Sequence, residues 1–163
     1  VSEPPSLLIQ CIGNRLRGDD GAGPAVADRL RDLGLGDHVR EYWGEGTELM
    51  QDWEGRERVI VVDASRSGAP PGTLHILDAN AGELPRDLRL ASSHRLGLAE
   101  VIELARMLDL LPKDLKVHAI EGEGYAPGEG LSLFVERAAL QLADQLRGEA
   151  MRHGAQNASA ARD

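Results

Sequence analysis

Three short blocks hold the residue types a hydrolytic or metal-directed site needs. The first is Gly13-Asn14-Arg15-Leu16-Arg17-Gly18-Asp19-Asp20-Gly21-Ala22-Gly23, a glycine-rich loop with adjacent carboxylates. Its glycines invite comparison with phosphate-binding loops, but Gly21-Ala22-Gly23 runs into Pro24-Ala25-Val26, so G-x-G-x-x-G lacks its third glycine. No Gly-Lys-Ser/Thr follows either, and two acids side by side repel a pyrophosphate. Asp20 is left with two readings, a ligand or a cap on the helix behind it. The second block is Asp63, directly behind the apolar run Val59-Ile60-Val61-Val62. A carboxylate there is costly to bury unless a cation or donors meet it; the bland alternative is a hydrogen-bonded turn residue. The third is Ser92-Ser93-His94. If His94 opens a helix, the positive end of the helix dipole favours a neutral, ligand-competent imidazole over a charged one. The plain alternative is a surface histidine in a cap.

Two carboxylates and one imidazole form an N/O donor set suited to a borderline divalent metal such as nickel, zinc or cobalt. Three protein ligands leave room for a water or substrate, as structural zinc sites do not. Glu121 and Glu123 follow another apolar run and read as surface-loop residues. Of the remaining histidines, His38 and His153 lie in polar surroundings, while His75 and His118 read as strand residues.

The elements that must position these residues follow from periodicity. Leu7 to Ile12 and Val59 to Val62 are continuous apolar runs, expected of strands covered on both faces. A weaker strand is expected near 38–43, a short helix near 47–53, and further strands at 73–76 and 115–119. Pro24 suits the opening turn of a helix carrying Val26 and Leu30, which Gly34 can end. A helix is expected from about His94 to Leu108, capped by Ser92 or Ser93, with Leu98, Val101, Ile102, Ala105 and Leu108 inward. The last helix follows Ser132, with Val135, Ala138, Leu142 and Leu146 inward. Alternating strands and helices imply a single-domain three-layer α/β/α sandwich with a mostly parallel sheet. Its boundaries are read as 1–147 for the domain and 148–163 for a flexible C-terminal tail without apolar period. In such sheets ligands gather beyond the carboxyl ends of the strands, where all three blocks fall.

Bulk composition excludes several classes. With 163 residues, 42% hydrophobic and 28% charged, the chain has the make-up of a folded domain. A formal charge of −9 argues against nucleic acid and against an anionic membrane surface. No run approaches the ~20 apolar residues of a membrane span. The single cysteine, Cys11, sits in the first strand and reads as a buried thiol, which suits a reducing cytoplasm.

The blocks, in this order, resemble the nickel–iron hydrogenase maturation endopeptidases. Gly13-Asn14, Leu16, Asp19-Asp20 and Gly23 match the signature Gly-Asn-x-Leu-x-x-Asp-Asp/Glu-x-x-Gly. Val61-Val62-Asp63-Ala64, Pro71-Gly72-Thr73, Ser92-Ser93-His94 with Leu96-Gly97-Leu98, and Gly130-Leu131-Ser132 with Val135 continue the likeness. One stretch departs: Tyr42-Trp43-Gly44-Glu45-Gly46-Thr47 stands where Asp-Gly-Gly-Thr is common, which suggests a subgroup.

The resemblance implies an endopeptidase that removes a C-terminal extension from a hydrogenase large-subunit precursor after nickel insertion. It assigns Asp20, Asp63 and His94 as the catalytic and metal-contacting trio. Nickel is then presented by the substrate, and the resting protease need not hold metal of its own. Two other classes fit a metal-binding trio on this fold: a non-catalytic nickel carrier, and a general zinc-dependent hydrolase.

Overall fold

The computed structural model describes residues 4–43, 46–91 and 96–162. Among these residues six strands form one sheet: β1 (Leu7–Ile12), β2 (Val39–Tyr42), β3 (Arg58–Arg66), β4 (Leu74–Asp78), β5 (Arg89–Leu90) and β6 (Asp114–Glu121). The order is β2-β1-β3-β6-β4, with β5 attached to the end of β3. The β1–β2, β1–β3 and β3–β6 ladders are parallel, whereas β4 and β5 pair antiparallel with β6 and β3. The expected mostly parallel sheet is therefore present. Four helices accompany it among the described residues: α1 (Ala22–Asp32), α2 (Gly46–Gln51), α3 (Leu98–Met107) and α4 (Leu133–Ala160).

Side-chain alternation sorts the sheet into two cores. Leu7, Ile9 and Cys11 of β1 join Ile60 and Val62 of β3 against α1 and α4. Leu8, Ile12, Val59 and Val61 point the other way, against α2 and α3, where Val101, Ile102 and Ala105 form the inward stripe of α3. Every residue of β1 is buried, as its unbroken apolar run requires. Gln10 is the polar exception, and its amide is satisfied: it donates to Tyr42 Oη (3.0 Å) and Leu49 O (3.1 Å) and accepts from Trp53 Nε1 (2.7 Å). Cys11 is wholly buried, and desolvation, aided by Glu41, pushes its thiol well above the usual range. It is packing, not a nucleophile.

The structure departs from the sequence reading in two elements. Helix α3 starts at Leu98 with Gly97 at its cap position, so the helix opens after the Ser92-Ser93-His94 block rather than within it. At the other end, α4 does not stop at residue 147 but continues to Ala160, where a flexible tail was expected. Residues 149–158 are rich in Ala, Glu, Met, Arg and Gln, which favour helix without needing an apolar stripe. His153 Nε2 and Asn157 Nδ2 also tie this stretch to Ser6 Oγ, at 2.7 and 2.8 Å. Among the described residues no helix is long and apolar enough to cross a membrane.

Candidate active site

The chain leaves β1 at Ile12 and turns back sharply at Gly13, whose φ is +154°. A Cβ on Gly13 would lie 2.0 Å from the Asp20 carbonyl oxygen, so only glycine lets the loop close this tightly over the strand end. A Cβ on Gly18, at φ +54°, would lie 2.5 Å from the Gly124 carbonyl oxygen. The glycines of this loop thus serve backbone packing, which removes the attraction of a phosphate cradle.

Residues Gly18–Gly21 form one turn of 3₁₀ helix that rests against β3. Both of its carboxylates are buried, Asp19 at 1% and Asp20 at 6% exposure. Asp19 accepts four hydrogen bonds from the opposite loop: Glu123 N (2.7 Å), Gly124 N (3.1 Å), Ser132 N (2.7 Å) and Ser132 Oγ (2.9 Å). It fastens the 3₁₀ turn to the segment between β6 and α4. The Asp20 carboxylate accepts from Asn14 N at 3.3 Å. The cap position of α1 belongs to Gly21, so helix capping does not account for Asp20.

Asp63 is fully buried, but it does not end its strand. β3 runs on to Arg66, and Asp63 pairs in register with Ala119 of β6. On its other side the ladder with β1 has already ended, at Cys11↔Val62. Alternation points Asp63 to the same face as Val59 and Val61. Its Oδ1 accepts from Ala64 N at 2.8 Å. The turn carrying Asp20 and the strand carrying Asp63 are therefore in contact at the carboxyl edge of the sheet. His94 lies outside the described residues. The chain before it is placed: Ala91 N donates to Ala64 O at 2.8 Å, and β5 pairs with Ser65 and Arg66. Among the described residues, no group of three or more His, Cys, Asp and Glu side chains is arranged to hold a metal ion. The trio with His94 falls outside that set.

Glu121 corrects the sequence reading, which put it on a surface loop. It is 2% exposed, and its carboxylate gathers Ser67 N (2.7 Å), Gly68 N (3.0 Å), Ser65 Oγ (3.0 Å), Ser67 Oγ (3.0 Å) and His75 Nε2 (3.3 Å). Burial alone would raise its pKa, but the Ser67 amide, the two serine hydroxyls and His75 outweigh that and hold it below the usual carboxylate range. This knot orders the turn after β3. Ser65 and Glu121 both follow apolar runs on strands in register, a signal the sequence carried and charge alone obscured. Glu123 is exposed, as expected.

Two cavities open at this edge. One, of about 500 Å³, lies over Glu121 and is walled by Arg66, Gly68 and Tyr125. The other, of about 470 Å³, lies between residues 84–90 and the start of α3. Clefts of this size at the carboxyl ends of parallel strands are where sheets of this kind bind ligands, and the buried Glu121 lines the first of them.

Comparison with known proteins agrees. The hydrogenase maturation protease profile matches residues 44–149. The hydrogenase 2 maturation protease of Escherichia coli K12 is 33% identical over 136 residues, which cover 80% of this chain and 81% of that one. The hydrogenase expression/formation protein HupD of Thiocapsa roseopersicina is 32% identical over 122 residues, 72% of this chain, which spans only 54% of that longer protein. Among solved structures, the hydrogenase maturating endopeptidase HybD from E. coli superposes with a TM-score of 0.71 at 28% identity, over 91% of this chain and 93% of that one. The chain belongs to the hydrogenase maturation protease family, a family of endopeptidases.

Proposed function

We propose that this endopeptidase removes the C-terminal extension of a nickel–iron hydrogenase large-subunit precursor, in the cytoplasm, once nickel has been inserted. The observation that supports the reading is the burial of two carboxylates, Asp20 and Asp63, on elements that touch at the sheet edge, in a chain of this family. Asp20, Asp63 and His94 contact nickel that belongs to the substrate. Carboxylates held near one another gain little without a cation between them and much with one, so binding favours the nickel-loaded precursor over the empty one. The ion would polarise the scissile carbonyl or the attacking water, and Asp20 or Asp63 would take that water's proton and pass it to the leaving amine.

The test is incubation of the purified protein with nickel-loaded and nickel-free precursor, followed by mass measurement of the large subunit. Loss of the extension from the loaded form alone is expected. Equal processing of both forms would remove nickel recognition from the proposal, and processing of neither would remove the proposal itself.

A further inference from the structure

The short β5 ladder sets two cations against each other. Arg66 and Arg89 are direct partners in its antiparallel register, next to Ser65↔Leu90. Like charges placed so destabilise a ladder, and both residues are exposed. Several arginines elsewhere in the chain pair with acids: Arg15 and Arg31 hold Asp28 and Glu41, Arg40 holds Asp52, and Arg58 holds Asp114 and Glu149. Arg66 and Arg89 make no ion pair among the described residues, although the chain has 27 acids to 18 bases.

Their surroundings hold them ready rather than neutralised. The Arg66 guanidinium lies 3.8 Å from the Tyr125 ring centroid, and Tyr125 Oη donates to Ser65 O at 2.7 Å, so the platform is tied to the strand it serves. Glu121, the buried acid beneath, is turned toward its own five donors. Arg89 lines the second cavity together with Arg86 and Glu100, and no ion pair joins them. Both cations flank the catalytic edge: Arg66 is three positions beyond Asp63 on β3, and Ala91 is bonded to Ala64.

Resting on the function proposed above, we propose that Arg66 and Arg89 form a carboxylate-binding surface that takes an acidic stretch of the precursor polypeptide near the bond to be cut. Carboxylates brought to these two guanidiniums offset the like-charge cost of the free ladder, so part of that cost is returned on binding. The net charge of −9 disfavours a nucleic acid in the same place.

The experiment compares the full-length protein with R66E/R89E and R89Q, measuring both capture of nickel-loaded precursor and its cleavage at low and high salt. R66E/R89E is expected to weaken capture and raise KM about tenfold at low salt, with the gap narrowing as salt screens the surface. Poly-L-glutamate should compete with the precursor, and duplex DNA should not. R89Q should keep or raise the Tm of the free protein while raising KM, a combination that mere structural damage does not give. Unchanged capture and KM in R66E/R89E would overturn the surface, and competition by DNA in place of polyglutamate would overturn its carboxylate assignment. If the wild-type protein captures precursor but never cleaves it, the functional reading fails, and the capture comparison still decides the surface.

Discussion

Ser132 donates both its amide N–H and its hydroxyl to the buried carboxylate of Asp19, at 2.7 and 2.9 Å, across 113 positions of sequence. With the amides of Glu123 and Gly124, it makes Asp19 the clasp that presses the 3₁₀ turn against the loop after β6. Asp20, the next residue, is positioned by that clasp. Replacing Asp19 by Ala strips three amides and a hydroxyl of their acceptor in a site closed to water. A loss of about 3 kcal/mol or more in urea denaturation is expected. Asp19→Asn should recover part of the stability but not the cleavage rate, because its amide group opposes donors where a carboxylate oxygen received them. A loss under about 1 kcal/mol for Asp19→Ala would show the clasp to be dispensable.

Gly13 gives a second, steric test of how Asp20 is placed. The Cβ of Gly13→Ala would fall 2.0 Å from the Asp20 carbonyl, so the turn must lift away from β1. Backbone displacement and the positive φ together should cost on the order of 1–3 kcal/mol and cut cleavage more deeply than stability. A variant that folds, cuts precursor at the wild-type rate and keeps its Tm would show that the tight closure is not needed.

Much of this architecture was legible because apolar runs and helical stripes report directly on burial. Leu7–Ile12 and Val59–Val62 became β1 and the core of β3, and Val101, Ile102 and Ala105 did face inward. What escaped depended on partners distant in sequence. Nothing beside Asp19 announces that its acceptors serve residues 123, 124 and 132, and Glu121 reads as a loop acid until Ser65, Ser67 and His75 surround it. The two-residue β5 is too short for any periodicity, yet it brings Arg89 opposite Arg66. Asp63 was placed one step too late in its strand's life: the apolar run ends at Val62, but pairing with β6 carries β3 on through Ser65.

Asp63 yields the sharpest chemical prediction. Asp63→Asn keeps the shape of a fully buried side chain while removing its charge and its capacity to take a proton. Cleavage of nickel-loaded precursor should fall by about 10²-fold or more, with circular dichroism and Tm little changed. Single-turnover assays on loaded precursor would measure this. Wild-type cleavage by the variant would remove Asp63 from the site.

His118 supplies a prediction about pH that is independent of catalysis. It is 4% exposed on the α4 side of β6, and burial, then the nearby charges of Arg58 and Lys116, lower its pKa from 6.5 to about 4. Its Nδ1 has no hydrogen-bond partner among the described residues. The unfolded chain binds the proton more readily, so this group leaves stability intact above its unfolded pKa. That stability is then lost as pH falls toward the folded value. Between about pH 7.5 and about pH 5 the loss should be about 2 kcal/mol. His118→Phe, similar in volume and unable to titrate, should flatten that part of the profile while the carboxylates go on titrating in both proteins. Urea denaturation of the two across this range measures the difference, and parallel profiles would mean that His118 protonates in the folded protein as easily as in the unfolded chain.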